Sequence, residues 1–354
     1  MKKLVLGTAF AALSMAPAVA GPIAVTVGGY YNSMVYLVDS DATVDGDGNP
    51  ADYRADTLQA DAEIIFKGKG IADNGIEYGF QVQLEASTSN DQIDEHYIYV
   101  KGGFGQVILG AENSAAYLMQ VSAPSFLGWK TFDNNFETWS EVAKYEKPLH
   151  DNYSADANKV TYMTPKVGGF QFGVSLTPSA ENSGGAGAGT TMLLQKNNGK
   201  YEDVMSYGVS YGGDLGGAKV KLSYTYEEGE RDNIDDSEYA IGAQLGFGNL
   251  TIGGHYFESD EPNDNDPDHS DNDWEIMHYG VAYKMGDTTL GFAIQNQEDA
   301  ASSSSKNDTD ILILGGSTKL MSGVKLTYSY EQVQSDNAQR GDSDFIGVGL
   351  LLKF

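Results

Sequence analysis

Between Val220 and Tyr226 the chain reads Val-Lys-Leu-Ser-Tyr-Thr-Tyr, apolar or aromatic at every even position and polar at every odd one. A period of two sends the two sets to opposite faces of an extended strand, whereas a helix repeats its faces every 3.6 residues. The same alternation governs Val324 to Tyr330, Ile76 to Glu85 and Phe170 to Thr177. From Gly21 to Phe354 no eighteen consecutive residues are apolar, so a membrane-spanning helix is not available.

Followed along the chain, the alternation predicts about sixteen strands, beginning near residues 24, 54, 75, 92, 103, 158, 168, 203, 217, 237, 249, 274, 287, 308, 321 and 343. Short turns such as Thr164-Pro165-Lys166-Val167, Gly246-Phe247-Gly248-Asn249 and Met285-Gly286-Asp287 join one end. Long polar segments join the other: Asp39 to Asp52, Glu112 to Ala157, Pro178 to Glu202, Glu228 to Asp236, Ser259 to Asp273, Glu298 to Asn307 and Gln332 to Asp342. An even strand number with connections of two lengths predicts an all-β chain closed into a sixteen-stranded antiparallel transmembrane barrel. A soluble β-sandwich also alternates, but its facing sheets call for Leu, Ile and Val cores. Here Tyr and Phe gather near strand ends with Gly and small polar residues opposite, as in the interfacial girdles of a membrane barrel.

The first twenty residues place Lys2 and Lys3 before an apolar stretch, Leu4 to Met15, and then Ala18-Val19-Ala20. That order describes a secretory signal peptide over 1–20, leaving 21–354 as the barrel. Its apolar run is shorter than the ~20 residues a spanning helix needs. Removing it takes away two lysines and no acid, so 20 basic and 50 acidic residues remain, a formal charge of −30. Such a chain repels nucleic acid, and its three arginines, Arg54, Arg231 and Arg340, are scattered. With no cysteine there is no disulfide, thiolate metal site or cysteine nucleophile.

The last ten residues, Phe345 to Phe354, put Ile346, Val348, Leu350, Leu352 and Phe354 on one parity. This resembles the final strand of Gram-negative outer-membrane proteins, which the insertion machinery reads. Gly102-Gly103-Phe104-Gly105 leads through a short alternating strand to Leu109-Gly110 and then to the longest loop. Together with the Val27-Gly28-Gly29-Tyr30 strand and the Thr161-Tyr162-Met163-Thr164-Pro165 turn before Gly168-Gly169-Phe170, the pattern resembles the general-porin family of Gram-negative bacteria, alphaproteobacterial type, over the whole mature chain.

The resemblance implies an outer-membrane diffusion channel for ions and small hydrophilic solutes, built as a homotrimer, with the third loop, 112–157, folded into the lumen as a constriction. Its partners would be further copies of itself, outer-membrane lipid and lipopolysaccharide, and the insertion machinery through the Phe354 strand. Carried over by position, the loop acids are Asp133, Glu137 and Glu141, with Glu112 at the loop's base. In the family such acids face basic residues on the opposite wall.

This chain departs from that pattern. Ala111-Glu112 follows Leu109-Gly110 where the family often has Arg, and the second strand carries Gln59, Asp61 and Glu63 on its polar parity, joined by Glu85 and Asp94. Arg54 is the leading basic wall candidate, while Lys159, Lys219, Lys221, Lys325 and Lys353 share the polar parity of their own strands. Surplus carboxylates concentrate cations in a narrow aqueous passage, so a weak to moderate cation preference is expected.

Other signals carry less. Asp45, Asp47 and Asn49 alternate like the opening of a calcium loop and Asp56 falls twelfth, but Pro50 replaces the expected Gly. Calcium or magnesium at these acids, or at the loop Asp260 to Asp273 against lipopolysaccharide phosphates, is an open expectation, and no cofactor is required. The five histidines sit in no nucleophile or metal motif, so no catalysis is expected. Phe126, Trp129, Phe132, Phe136 and Trp139 suit a sugar-stacking patch in a substrate-specific channel, or the plainer task of packing the loop against the wall. A non-channel adhesive barrel is a third alternative.

Overall fold

The structure is a computed structural model, describing residues 22–44, 49–86, 93–129, 153–180, 201–231, 234–260, 274–299, 308–336 and 341–354. The expected signal peptide and the loop residues Asp45, Asp47, Phe132, Asp133, Phe136, Glu137, Trp139 and Glu141 lie outside them.

Among the described residues sixteen strands run in order: β1 (Ala24–Ser40), β2 (Asp56–Ile71), β3 (Glu77–Glu85), β4 (His96–Gly102), β5 (Gly105–Ala111), β6 (Asn158–Met163), β7 (Phe170–Ser179) and β8 (Glu202–Leu215), then β9 (Ala218–Arg231), β10 (Ile234–Phe247), β11 (Leu250–Asp260), β12 (Trp274–Met285), β13 (Thr288–Asp299), β14 (Thr309–Met321), β15 (Val324–Ser335) and β16 (Ser343–Lys353). Each pairs antiparallel with its sequence neighbours, and β1 pairs with β16 to close the barrel. All sixteen begin within four residues of where the alternation places them.

Closure leaves two surfaces, and the period of two assigns every side chain to one of them. On β1 the residues Tyr31, Val35 and Leu37 stand exposed, and the register sets them beside Leu352, Val348 and Ile346 of β16. These share the outer face with Tyr207, Tyr224, Tyr226, Tyr239 and Tyr256, whose neighbouring ring centroids are 6.0 to 6.4 Å apart across adjacent strands. The opposite parity carries Asn32, Thr161, Ser175, Ser206, Thr225 and Thr327, all buried. Apolar outside and polar inside is the arrangement that lipid requires and water would penalise.

One expected loop is corrected. Glu228 to Asp236 is strand at both ends, because β9 runs to Arg231 and β10 resumes at Ile234. Above the lipid both faces of a hairpin are wet, so its polar run looks like loop while the ladder continues. Arg231 holds it, 3.1 Å from the Asp236 carboxylate and 4.8 Å above the ring of Tyr201, whose hydroxyl donates to Asp236 at 2.6 Å.

Candidate functional site

The lumen is occupied by the start of the longest connection. From Glu112 the chain turns off the end of β5, and Ser114 caps a short helix α1 (Ala115–Met119) by accepting the Tyr117 amide at 3.2 Å. The first amides of a helix lack partners within it. Two of them are taken up by the wall, Ala115 N–H donating to Ser175 Oγ at 2.7 Å and Ala116 N–H to Ser206 Oγ at 3.0 Å. The chain then tracks along the inner wall: Val121 N–H donates to Ser223 Oγ at 2.9 Å, Gln244 Nε2 to the Ser122 carbonyl at 2.7 Å, and Ala123 N–H to His278 Nε2 at 2.9 Å. Ser317 Oγ donates to the Phe126 carbonyl at 2.9 Å, and Lys353 Nζ to that of Gly128 at 3.3 Å. Residues 115–128 thus touch in turn β7, β8, β9, β10, β12, β14 and β16.

Two features make this track possible. Small inward residues give the backbone room: a Cβ on Gly242 would overlap the Val121 carbonyl oxygen, and one on Gly291 would lie 2.5 Å from the Phe126 ring. An apolar socket then anchors the far end. Phe126 and Leu127 are buried with Met34, Tyr36, Ile311, Ile313, Val333 and Phe345, and Trp129 packs against the group. The structure therefore gives Phe126 and Trp129 a packing contact with the wall.

On β2, β3 and the connection to β4, between the loop's root on β5 and its socket beside β1, lies a group of carboxylates. Oxygens of Glu63, Glu85 and Asp94 come within 4.8 Å of one another, and Tyr30 donates its hydroxyl to Asp61 at 2.8 Å and to Glu63 at 2.9 Å. Glu95, which no sequence pattern marks, is buried beside them. It accepts from Asn113 Nδ2 at 2.8 Å, Gln81 Nε2 at 3.2 Å and Gln83 Nε2. Burial, with the negative charges of Glu112, Asp156 and Asp94, pushes its carboxyl up to about 9.

The remaining candidates separate. Glu112 is buried at the root of the loop, with Oε1 accepting from the Asn113 amide at 3.0 Å. Lys159 is buried beneath it, donating to the carbonyls of Glu112 and Ala155, with Asp156, Glu227, Glu112 and Glu95 as its nearest charges. Arg54 stands at the outer rim, 82% exposed and 3.1 Å from Asp56, a residue on the outward parity of β2. Asn49 adjoins the small bridge between Val44 and Pro50. The wall serines, Gly242 and His278 had one signal in the sequence, Gly and Ser recurring at inward parity on successive strands.

A closed barrel with a lipid-facing exterior, a polar lumen and a loop laid along its inner wall is the construction of an outer-membrane channel. A family model described as Gram-negative porin matches residues 4–338, and the chain belongs to that family. An uncharacterized protein of Rickettsia bellii is 23% identical over 336 residues, covering 76% of each chain. Among solved structures, the anion-selective porin from Comamonas acidovorans is 16% identical, with a TM-score of 0.63 over 94% of this chain and 100% of that one. The trimer form of OmpT from Vibrio cholerae gives 13% and 0.63 over 94% and 100%. These likenesses establish the fold and, with the family, an integral outer-membrane diffusion channel.

Proposed function

We propose that the 112–157 loop narrows this channel and that the passage prefers cations weakly to moderately. The observation that carries the reading is the carboxylate group of Asp61, Glu63, Glu85 and Asp94 on the stretch of wall around β2 and β3, to which residues 115–128 make no wall hydrogen bond, with the wall's arginine candidate, Arg54, out at the rim. A unit charge about 5 Å from a passing ion shifts its energy by about 0.8 kcal/mol in water-like surroundings. Screening over a Debye length of about 8 Å roughly halves each contribution, leaving a preference of a few-fold to about tenfold. Solutes pass by size, without saturation, since Phe126 and Trp129 are engaged by the wall.

The assembly is a homotrimer, as the trimer form of the Vibrio cholerae protein supports, and the chain reaches the membrane after loss of residues 1–20. Calcium or magnesium at the acidic loops around Asp45, Asp47 and Asn49 is an accessory element, removed from the reading if calorimetry finds no divalent-specific heat.

The test is single-channel recording of the refolded protein with the reversal potential taken across a salt gradient. Large steps in threes and a cation-directed reversal are expected, moving toward zero in D61N, E63Q and D94N. An anion-directed reversal would overturn the preference and leave the channel standing.

A further inference from the structure

The lysines on the described strands are not spread evenly along the barrel axis. Ten lie on the described strands, and nine of them fall within four residues of the end that carries the short turns; only Lys159 sits at the loop end. Lys67 and Lys69 on β2, Lys219 and Lys221 on β9, and Lys325 and Lys353 on β15 and β16 all have inward parity. Lys67 is set opposite Gln81, Lys221 opposite Gln244, and Lys325 opposite Leu351. A strand rises about 3.3 Å per residue and tilts by roughly 40°, so this collar lies within about 10 Å of the turn-side mouth.

Inward carboxylates show the reverse placement. Asp61 and Glu63 lie at least eight residues from the turn-side end of β2, while Glu227, Glu238 and Glu331 stand similarly far from that end but buried in the wall. The inward acids near that end have lysines to answer them: Glu77 is 2.6 Å from Lys69, and Asp214 is in register with Lys219. The two kinds of charge therefore occupy successive lengths of the same passage.

We infer that the lysine collar is a second selectivity element, so that the two mouths of the channel favour ions of opposite sign and the pore rectifies. This rests on the diffusion-channel reading. Fixed charge at a mouth raises the local concentration of counter-ions and repels co-ions. With opposite charge at the two ends, one polarity of voltage draws ions into the lumen from both mouths and the other depletes it. The collar would hold multiply charged anions, those bearing several phosphates or carboxylates, at the turn side, while the outer carboxylates hold polyamines at the loop side.

The experiment uses the full-length refolded protein in a planar bilayer with inositol hexakisphosphate and spermine as probes, each added to one compartment at a time. Rectification of about twofold is expected in 0.01 M salt, where the Debye length is about 30 Å, and its loss in 1 M salt, where it is about 3 Å. The two probes should block from opposite compartments. In K67Q/K219Q/K221Q, which replaces no residue that bonds the loop and leaves Gln244 in place beside Lys221, block by the polyanion should weaken at least fivefold while spermine block and high-salt conductance stay the same. Symmetric current at low salt, block by both probes from one side, or polyanion block indifferent to the three substitutions would each overturn the inference with the channel reading intact. A folded, inserted protein that gives no steps would instead remove the channel reading on which it rests.

Discussion

Replacing Phe126 by Ala tests how firmly the loop is held. Its ring is 1% exposed, seated between the β12–β16 wall and Met34 and Tyr36 of β1, and its carbonyl accepts from Ser317. Emptying a buried Phe site costs about 3–5 kcal/mol. Here that cost falls on the docked loop, because the barrel's own ladder does not pass through residue 126. The wall hydrogen bonds that remain are worth about 1 kcal/mol each net, so losing the ring shifts the docked-to-released ratio by about two to three and a half orders of magnitude. F126A should therefore insert as a folded, heat-modifiable barrel, yet show larger mean steps, more open-channel noise and faster protease nicking within 112–157. A folded F126A with parental step size, noise and protease resistance would refute the argument that this socket anchors the loop.

Other predictions follow from the same geometry. Gly242→Val should displace the loop at Val121 and reproduce the noisy phenotype with Phe126 intact, whereas Gly246→Val, away from the track, should not. Because the Glu95 carboxyl is raised to about 9, it keeps its proton at neutral pH. E95Q should then leave the reversal potential at pH 7 nearly unchanged, and D94N should reduce it. Raising the pH past 9 should increase cation preference in the parent more than in E95Q. The linkage has a definite sign: a carboxyl raised on folding binds a proton the unfolded chain has released, so its contribution falls as pH rises from about 4 to 9, and E95Q should flatten that part of a urea-stability profile. On the lipid face, Val348→Lys, at the middle of β16, should cost about 2–4 kcal/mol in vesicle unfolding.

The strands were legible because lipid and water impose opposite demands on alternate residues, a constraint that acts locally and leaves its mark in every few positions. Val220 to Tyr226 needs no knowledge of its partners to be read. Where both faces are wet the mark disappears, and the Glu228 to Asp236 hairpin reads as loop. The inner track was hidden for a different reason. Ser175, Ser206, Ser223 and His278 are ordinary inward residues until the loop arrives, and His278 meets Ala123 across 155 positions of sequence. Glu95 carries no local mark because its environment is set by Glu112 and Asp156, from beyond the next strand pair, whereas Asp61, Glu63, Glu85 and Asp94 can be placed on polar parity from their own segments alone.

The seam between β1 and β16 also sets a timetable. Gly29 N–H donates to the Phe354 carbonyl and Phe354 N–H returns the bond to Gly29, each at 3.1 Å, while Ser40 meets Ser343 from 303 residues away. Until that last segment arrives, β1 has an open edge, and open edges recruit other chains. Synthesis delivers β1 first and its partner last. The polypeptide must therefore cross the inner membrane and the space beyond it with its first strand unsatisfied. Escort against self-association during that interval is a demand written into the ring itself, and it grows with every strand placed between the two ends.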